Sequence, residues 1–103
     1  MYTAKDIITA GRITKVEKVT SLSANYFPAD SFSIFLVPRP TSGVELGDVK
    51  IVEAMLPHTD SAYVDVPVVV GEWSPVVFRA IKASGIDLTE VDVYVAPILE
   101  LKL

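Results

Sequence analysis

The sequence predicts an all-β domain, a β-sandwich or jelly-roll-like barrel of short antiparallel strands, with an N-terminal arm or short helix. Three observations predict it. Valine and isoleucine dominate the aliphatic residues, and their branched Cβ suits strands better than helices. Apolar stretches alternate with turn signals such as Pro38-Arg39-Pro40, Gly71-Glu72-Trp73-Ser74-Pro75 and Ala83-Ser84-Gly85. The chain has 103 residues, half of them apolar, which fits a single domain with a modest core and argues against disorder.

Within that single domain, residues 1–31 read as an N-terminal arm and edge strand, 32–98 as the sandwich body and 99–103 as a C-terminal strand. Thr3 to Gly11 fits one or two helical turns, with Thr3 as N-cap and Gly11 as terminator. It fits an extended arm equally well, because so short a helix is marginal in water. Ile13 to Val19 mixes apolar and charged residues in the manner of an edge strand, its lysines guarding against unwanted pairing. Ser21 to Asp30 is polar and turn-rich. Phe32 to Val37 reads as a buried strand stopped by Pro38. Thr41 to Gly47 is a turn, and Asp48 to Ala54 resumes as a strand. After a loop around Pro57, Ala62 to Val70 is long and β-branched. Pro67 cannot donate to a ladder, so it marks a bulge or an edge position there. Val76 to Ile81 is the next strand, Asp87 begins a turn, and Val91 to Ile98 is the last central strand.

Leu99, Leu101 and Leu103 then alternate with Glu100 and Lys102. A strand with one apolar face seeks a sheet edge, its own or a neighbour's. Burying three leucines gains about 1.5–3 kcal/mol each, enough to matter in assembly.

Charge is unevenly placed. Residues 1–39 carry five cations against three acids, and residues 40–103 carry four cations against ten acids. An acidic body disfavours a nucleic-acid partner, whose affinity comes from neutralised phosphates. Lys15 and Lys18, in the mildly basic third, are candidates to face acids on a neighbouring copy; a soluble surface of uneven charge explains them equally well. No apolar run approaches the ~20 residues that span a bilayer, and the start does not read as a signal peptide, so no membrane partner is expected.

Catalytic signals are sparse. The sole histidine, His58, lies beside Asp60 and Ser61, but adjacency in sequence supplies no triad geometry, and a solvated loop histidine is the plainer reading. With no cysteine and one histidine, zinc lacks a ligand set. Asp87, Glu90 and Asp92 match no calcium-loop spacing. Residues 43–48 lack both the dinucleotide glycine spacing and a phosphate-loop lysine. Neither catalytic residue, metal nor cofactor is expected. Aromatic residues carry one binding hypothesis: Trp73 and Tyr63, with Tyr94, Tyr26 and Tyr2, could stack on sugar rings if several shared an exposed sheet face.

The second half has a recognisable rhythm. Gly47-Asp48-Val49-Lys50-Ile51 leads to Tyr63-Val64-Asp65-Val66-Pro67-Val68-Val69-Val70-Gly71. Trp73-Ser74-Pro75-Val76-Val77-Phe78-Arg79-Ala80-Ile81 and Ala83-Ser84-Gly85 follow, and Val91-Asp92-Val93-Tyr94-Val95 closes it. Over about residues 47–95 this resembles the small β-sandwich virion proteins of tailed bacteriophages and gene-transfer agents, the spike-base and head-decoration type. The resemblance implies a non-enzymatic structural protein of a phage or prophage particle, a homo-oligomer such as a trimer, contacting other virion proteins. It also implies a place in the virion after assembly in a bacterial host's cytoplasm. In that setting Leu99, Leu101, Leu103, Lys15 and Lys18 are the expected subunit contacts, with Trp73 and Phe78 packing beneath the same end. The rival expectation is a carbohydrate-binding module built on Trp73 and Tyr63.

Overall fold

A computed structural model of the chain describes residues 15–57 and 62–98. The arm before residue 15, the His58 loop and the terminal strand of Leu99, Leu101 and Leu103 lie outside the described residues. Six strands run through the rest: β1 Glu17–Val19, β2 Phe32–Pro38, β3 Val49–Met55, β4 Tyr63–Val69, β5 Ala80–Ile81 and β6 Val91–Pro97. They form two antiparallel three-stranded sheets, β1-β6-β2 and β4-β3-β5. The predicted all-β class holds, and β6 is the central strand of its sheet.

Alternation explains why these segments pair. In β6, Val91, Val93 and Val95 turn inward and are buried, while Asp92 and Tyr94 turn outward. In β4, Val66 and Val68 turn inward while Asp65 and Pro67 are exposed. Ile34 and Leu36 of β2 and Val52 and Ala54 of β3 complete one buried cluster drawn from both sheets. That shared cluster makes the two sheets the layers of a sandwich.

Residues 76–81 differ from the single strand predicted for them. Only Ala80–Ile81 forms a strand, and it pairs with β3. The stretch before it lies along β2 instead: Gly71 N donates to Leu36 O, Ser74 N to Ile34 O, and Phe32 and Phe78 exchange both backbone bonds at 2.9 and 2.7 Å. Between the Phe35–Trp73 and Phe32–Phe78 bridges β2 advances three residues while this stretch advances five. The surplus is accommodated at Pro75, which has no N–H to give a ladder. Beyond Phe78 the chain changes sheets, and Arg79 N donates to Met55 O of β3. One segment therefore closes one side of the sandwich, leaving β1 and β4 as the outer strands.

Those outer strands are poor templates for further pairing. β1 is three residues long and carries Lys18. In β3 the backbone of Glu53 bonds toward Lys82 and Gly85, so Val52 and Ala54 bond toward β4. The even-numbered residues of β4 answer them, and Pro67 falls where its missing N–H removes a donor from the free edge. This realises the edge alternative for Pro67.

Gly85 sits where no side chain fits. Its carbonyl accepts from Glu53 N at 3.0 Å, and a Cβ would stand 2.7 Å from Glu53 O and 2.8 Å from Lys82 O, both rigid backbone atoms. Gly43 has φ +81° but open space around its Cβ position. Gly85→Ala is therefore expected to lower stability by about 1–3 kcal/mol, and Gly43→Ala by about 1 kcal/mol. Urea denaturation of both variants checks the order.

Candidate functional site

The outer face of the β1-β6-β2 sheet collects the polar and aromatic side chains with most chemical character. Strand register sets them in a row: Lys18 of β1 lies opposite Tyr94 of β6, Tyr94 opposite Phe35 of β2, and Phe35 opposite Trp73. The Phe35 and Trp73 rings meet edge to face, with centroids 5.3 Å apart. One step along the strands, Asp92 lies opposite Val37. Asp92 Oδ1 receives two cations, Lys18 Nζ at 3.5 Å and Arg39 Nη1 at 3.8 Å. Arg39 is fixed by its backbone N–H on Glu90 O and by Nη1 on Leu88 O. Together Val37, Arg39, Val44, Leu46, Asp92 and Tyr94 line an open cleft of about 480 Å³. Val37, Val44 and Leu46 give it apolar surface, and Asp92 with Arg39 beside it gives it charge. Such a cleft can hold an apolar side chain or a ring with polar substituents.

The outer face of the other sheet is built differently. Cross-strand pairs Val49–Val69, Ile51–Pro67, Glu53–Asp65 and Met55–Tyr63 form one strip. Val49 and Ile51 are 58% and 51% exposed. Glu53 and Asp65 stand directly opposite each other, a like-charge pairing that weakens a sheet locally. Lys82 Nζ reaches Glu53 at 3.3 Å, and among the described residues no ion pair reaches Asp65. Phe27 is similarly exposed, but Arg79 stacks on its ring at 4.4 Å.

The residues nominated from sequence are dispersed. Lys15 pairs with Glu17 of its own strand region at 2.8 Å, and that hydrogen bond holds its ammonium above the usual pKa. Lys18 turns to Asp92 of the same chain. Trp73 and Tyr63 occupy different sheets and form no common platform, whereas Trp73 and Tyr94 share a face. Trp73 and Phe78 sit along β2, with Phe78 wholly buried and Trp73 against Phe35. Asp87, Glu90 and Asp92 each have a separate partner: Thr89, Lys50, and the Lys18–Arg39 pair. Among the described residues no three histidine, aspartate or glutamate side chains group as a metal site, and no helix is long and apolar enough to cross a membrane.

No family model, no curated protein and no solved structure matches the chain.

One titration is shaped by the turn bordering the cleft. Asp87 Oδ1 accepts from Thr89 Oγ1 at 2.6 Å and from Thr89 N at 2.8 Å, and these bonds hold its carboxyl below the usual aspartate value of 3.8. A depressed carboxyl stabilises the turn above the unfolded pKa and ceases to do so as pH falls through the folded one. An NMR pH titration is expected to place Asp87 below ordinary aspartates, and Thr89→Ala to move it back up.

Proposed function

We propose that this chain is a non-enzymatic structural subunit that assembles with copies of itself. One observation carries the reading: the β3–β4 outer face keeps Val49 and Ile51 more than half exposed beside Pro67, on regular, fully paired strands. A contiguous apolar strip on a rigid sheet is the usual mark of a surface that another protein covers. Repetition by symmetry turns such modest contacts into an assembly without a polarised pocket. The resemblance over residues 47–95 supplies the setting: a tailed-phage or gene-transfer particle, with the subunit as capsid decoration or spike-base component. Leu99, Leu101 and Leu103 follow directly on Ile98, whose N–H is held by Ser31 O at the end of central strand β6.

The full chain, at 11.2 kDa per copy, is expected to scatter light as a multiple of that mass at high concentration. Deleting residues 99–103 lowers the mass while the β-sheet circular dichroism remains. A strictly monomeric full chain overturns the reading. A truncated chain that fails to fold assigns the tail to the monomer's own sheet.

A second reading, glycan binding, is favoured by Tyr94, which lines the cleft with Asp92 and Arg39 and shares its sheet face with Trp73 on the far side of Phe35. It makes the cleft, not Tyr63, the binding surface. On a glycan array it requires a signal that Tyr94→Ala removes and Tyr63→Ala spares.

A further inference from the structure

We propose that copies of this chain stack head to tail, the outer face of the β1-β6-β2 sheet of one copy seated on the outer face of the β4-β3-β5 sheet of the next. This rests on the self-assembly reading above and specifies which surfaces meet.

Two strands with the same Val-Asp-Val pattern carry the argument. Asp92 of β6 and Asp65 of β4 both point outward, but on opposite sides of the sandwich. Around Asp92 stand two cations, Lys18 and Arg39, so that cluster has one positive charge in excess. Opposite Asp65 stands a second carboxylate, Glu53, and among the described residues Lys82 is the cation paired with them, so that cluster has one negative charge in excess. The positive face opens into the cleft of Val37, Val44, Leu46 and Tyr94, and the negative face presents the exposed strip of Val49, Ile51 and Pro67. Apolar burial supplies affinity, while the excess charges set orientation and oppose the two like-face pairings.

Edges offer less. Pro67 removes a donor from the middle of the β4 edge, and β1 is three residues long. Association is thus directed to the faces. Contact between unlike faces is heterologous, so it closes into a ring or continues as a stack, and it cannot stop at a two-fold dimer.

Two substitutions at highly exposed positions separate this arrangement from every like-face one. Leu46→Asp places a carboxylate in the cleft, and Ile51→Asp places one on the strip; both residues are more than half exposed, so the fold tolerates them. Each variant alone is expected to weaken self-association about tenfold or more, sedimenting as a monomer where the wild-type chain is assembled. Mixed in equal amounts they form a one-to-one dimer that grows no further, since each keeps the face the other needs. Circular dichroism monitors folding, and Val44→Ser and Val49→Ser replace a variant that loses its sheet signal. Like-face pairing gives a different result: one variant stays dimeric alone, and mixing adds nothing. That result, or a wild-type oligomer indifferent to both substitutions, overturns the stacking and leaves self-assembly standing. A full chain that is monomeric while the chain lacking residues 99–103 associates shows the faces covered from within, and overturns both.

Discussion

The arrangement of the sandwich depends on one backbone pair. Phe32 and Phe78 exchange hydrogen bonds at 2.9 and 2.7 Å, and their rings, almost wholly buried, lie stacked with centroids 6.1 Å apart. Phe32 belongs to β2 in one sheet, and Phe78 immediately precedes the step to β3 in the other. The pair therefore joins the layers through main chain as well as through the core. Loss of either ring would open a cavity where the sheets are covalently closest, a change that typically costs about 3–5 kcal/mol. Ser74 supports the same join: its hydroxyl accepts from Ile34 N at 3.0 Å and donates to Val76 O at 2.9 Å, satisfying backbone groups that the surplus residues around Pro75 would otherwise strand. Ser33, the buried polar residue of β2, donates to Ser74 O at 2.9 Å and completes the network.

Closure on one side determines what is left on the other. Because residues 71–82 occupy the flank where β2 and β3 would otherwise end, the outer strands are β1 and β4. Both are unsuited to pairing, one by brevity and charge and the other by Pro67. Exposed apolar side chains such as Val49 and Ile51 accordingly lie on a sheet face and not along an edge. The two faces then differ in sign because one Val-Asp-Val strand is flanked by Lys18 and Arg39 and the other by Glu53.

Much of this was legible in the residues. The strands around Ile34, Val52, Val66 and Val93 announce themselves by branched side chains between turn formers, and Pro67 restricts its strand to an edge or bulge before any pairing is known. The step of residues 71–82 between sheets was not legible, because Val76-Val77-Phe78 has the composition of an ordinary strand and only the partner strands reveal two addresses. Nor was the exposed strip. In Val49-Lys50-Ile51-Val52 both alternation parities carry apolar residues, so local pattern does not fix which side faces the core. Val52 and Ala54 decide it, turning Lys50 to the core side, where it meets Glu90 at 3.3 Å, and Val49 and Ile51 to the outside. The grouping of Asp92, Arg39 and Tyr94 was not legible for a related reason: each is an ordinary outward residue alone, and they meet only through antiparallel register between segments far apart in sequence.

The inversion at Lys50 bears on function as well as on register. Hiding Val49 and Ile51 would turn Glu53 inward with them and expose Val52 and Ala54, so either parity of β3 brings one charged side chain to the core side. Bonds from outside the segment hold the register that Val52 and Ala54 favour: Glu53 to Lys82 and Gly85 on one side, and Val70 N to Asp48 O on the other. Lys50 is accommodated because Glu90, on the turn that leads into β6, lies within reach at the rim of the core. The turn is itself held by the Asp87–Thr89 bonds and the Arg39 N–H on Glu90 O. The same small turn therefore anchors Arg39 beside Asp92 on one face and compensates Lys50, whose strand presents Val49 and Ile51 on the other. A change that loosens residues 87–90 therefore reaches Arg39 beside Asp92 in one sheet and the Glu90 partner of Lys50 in the other.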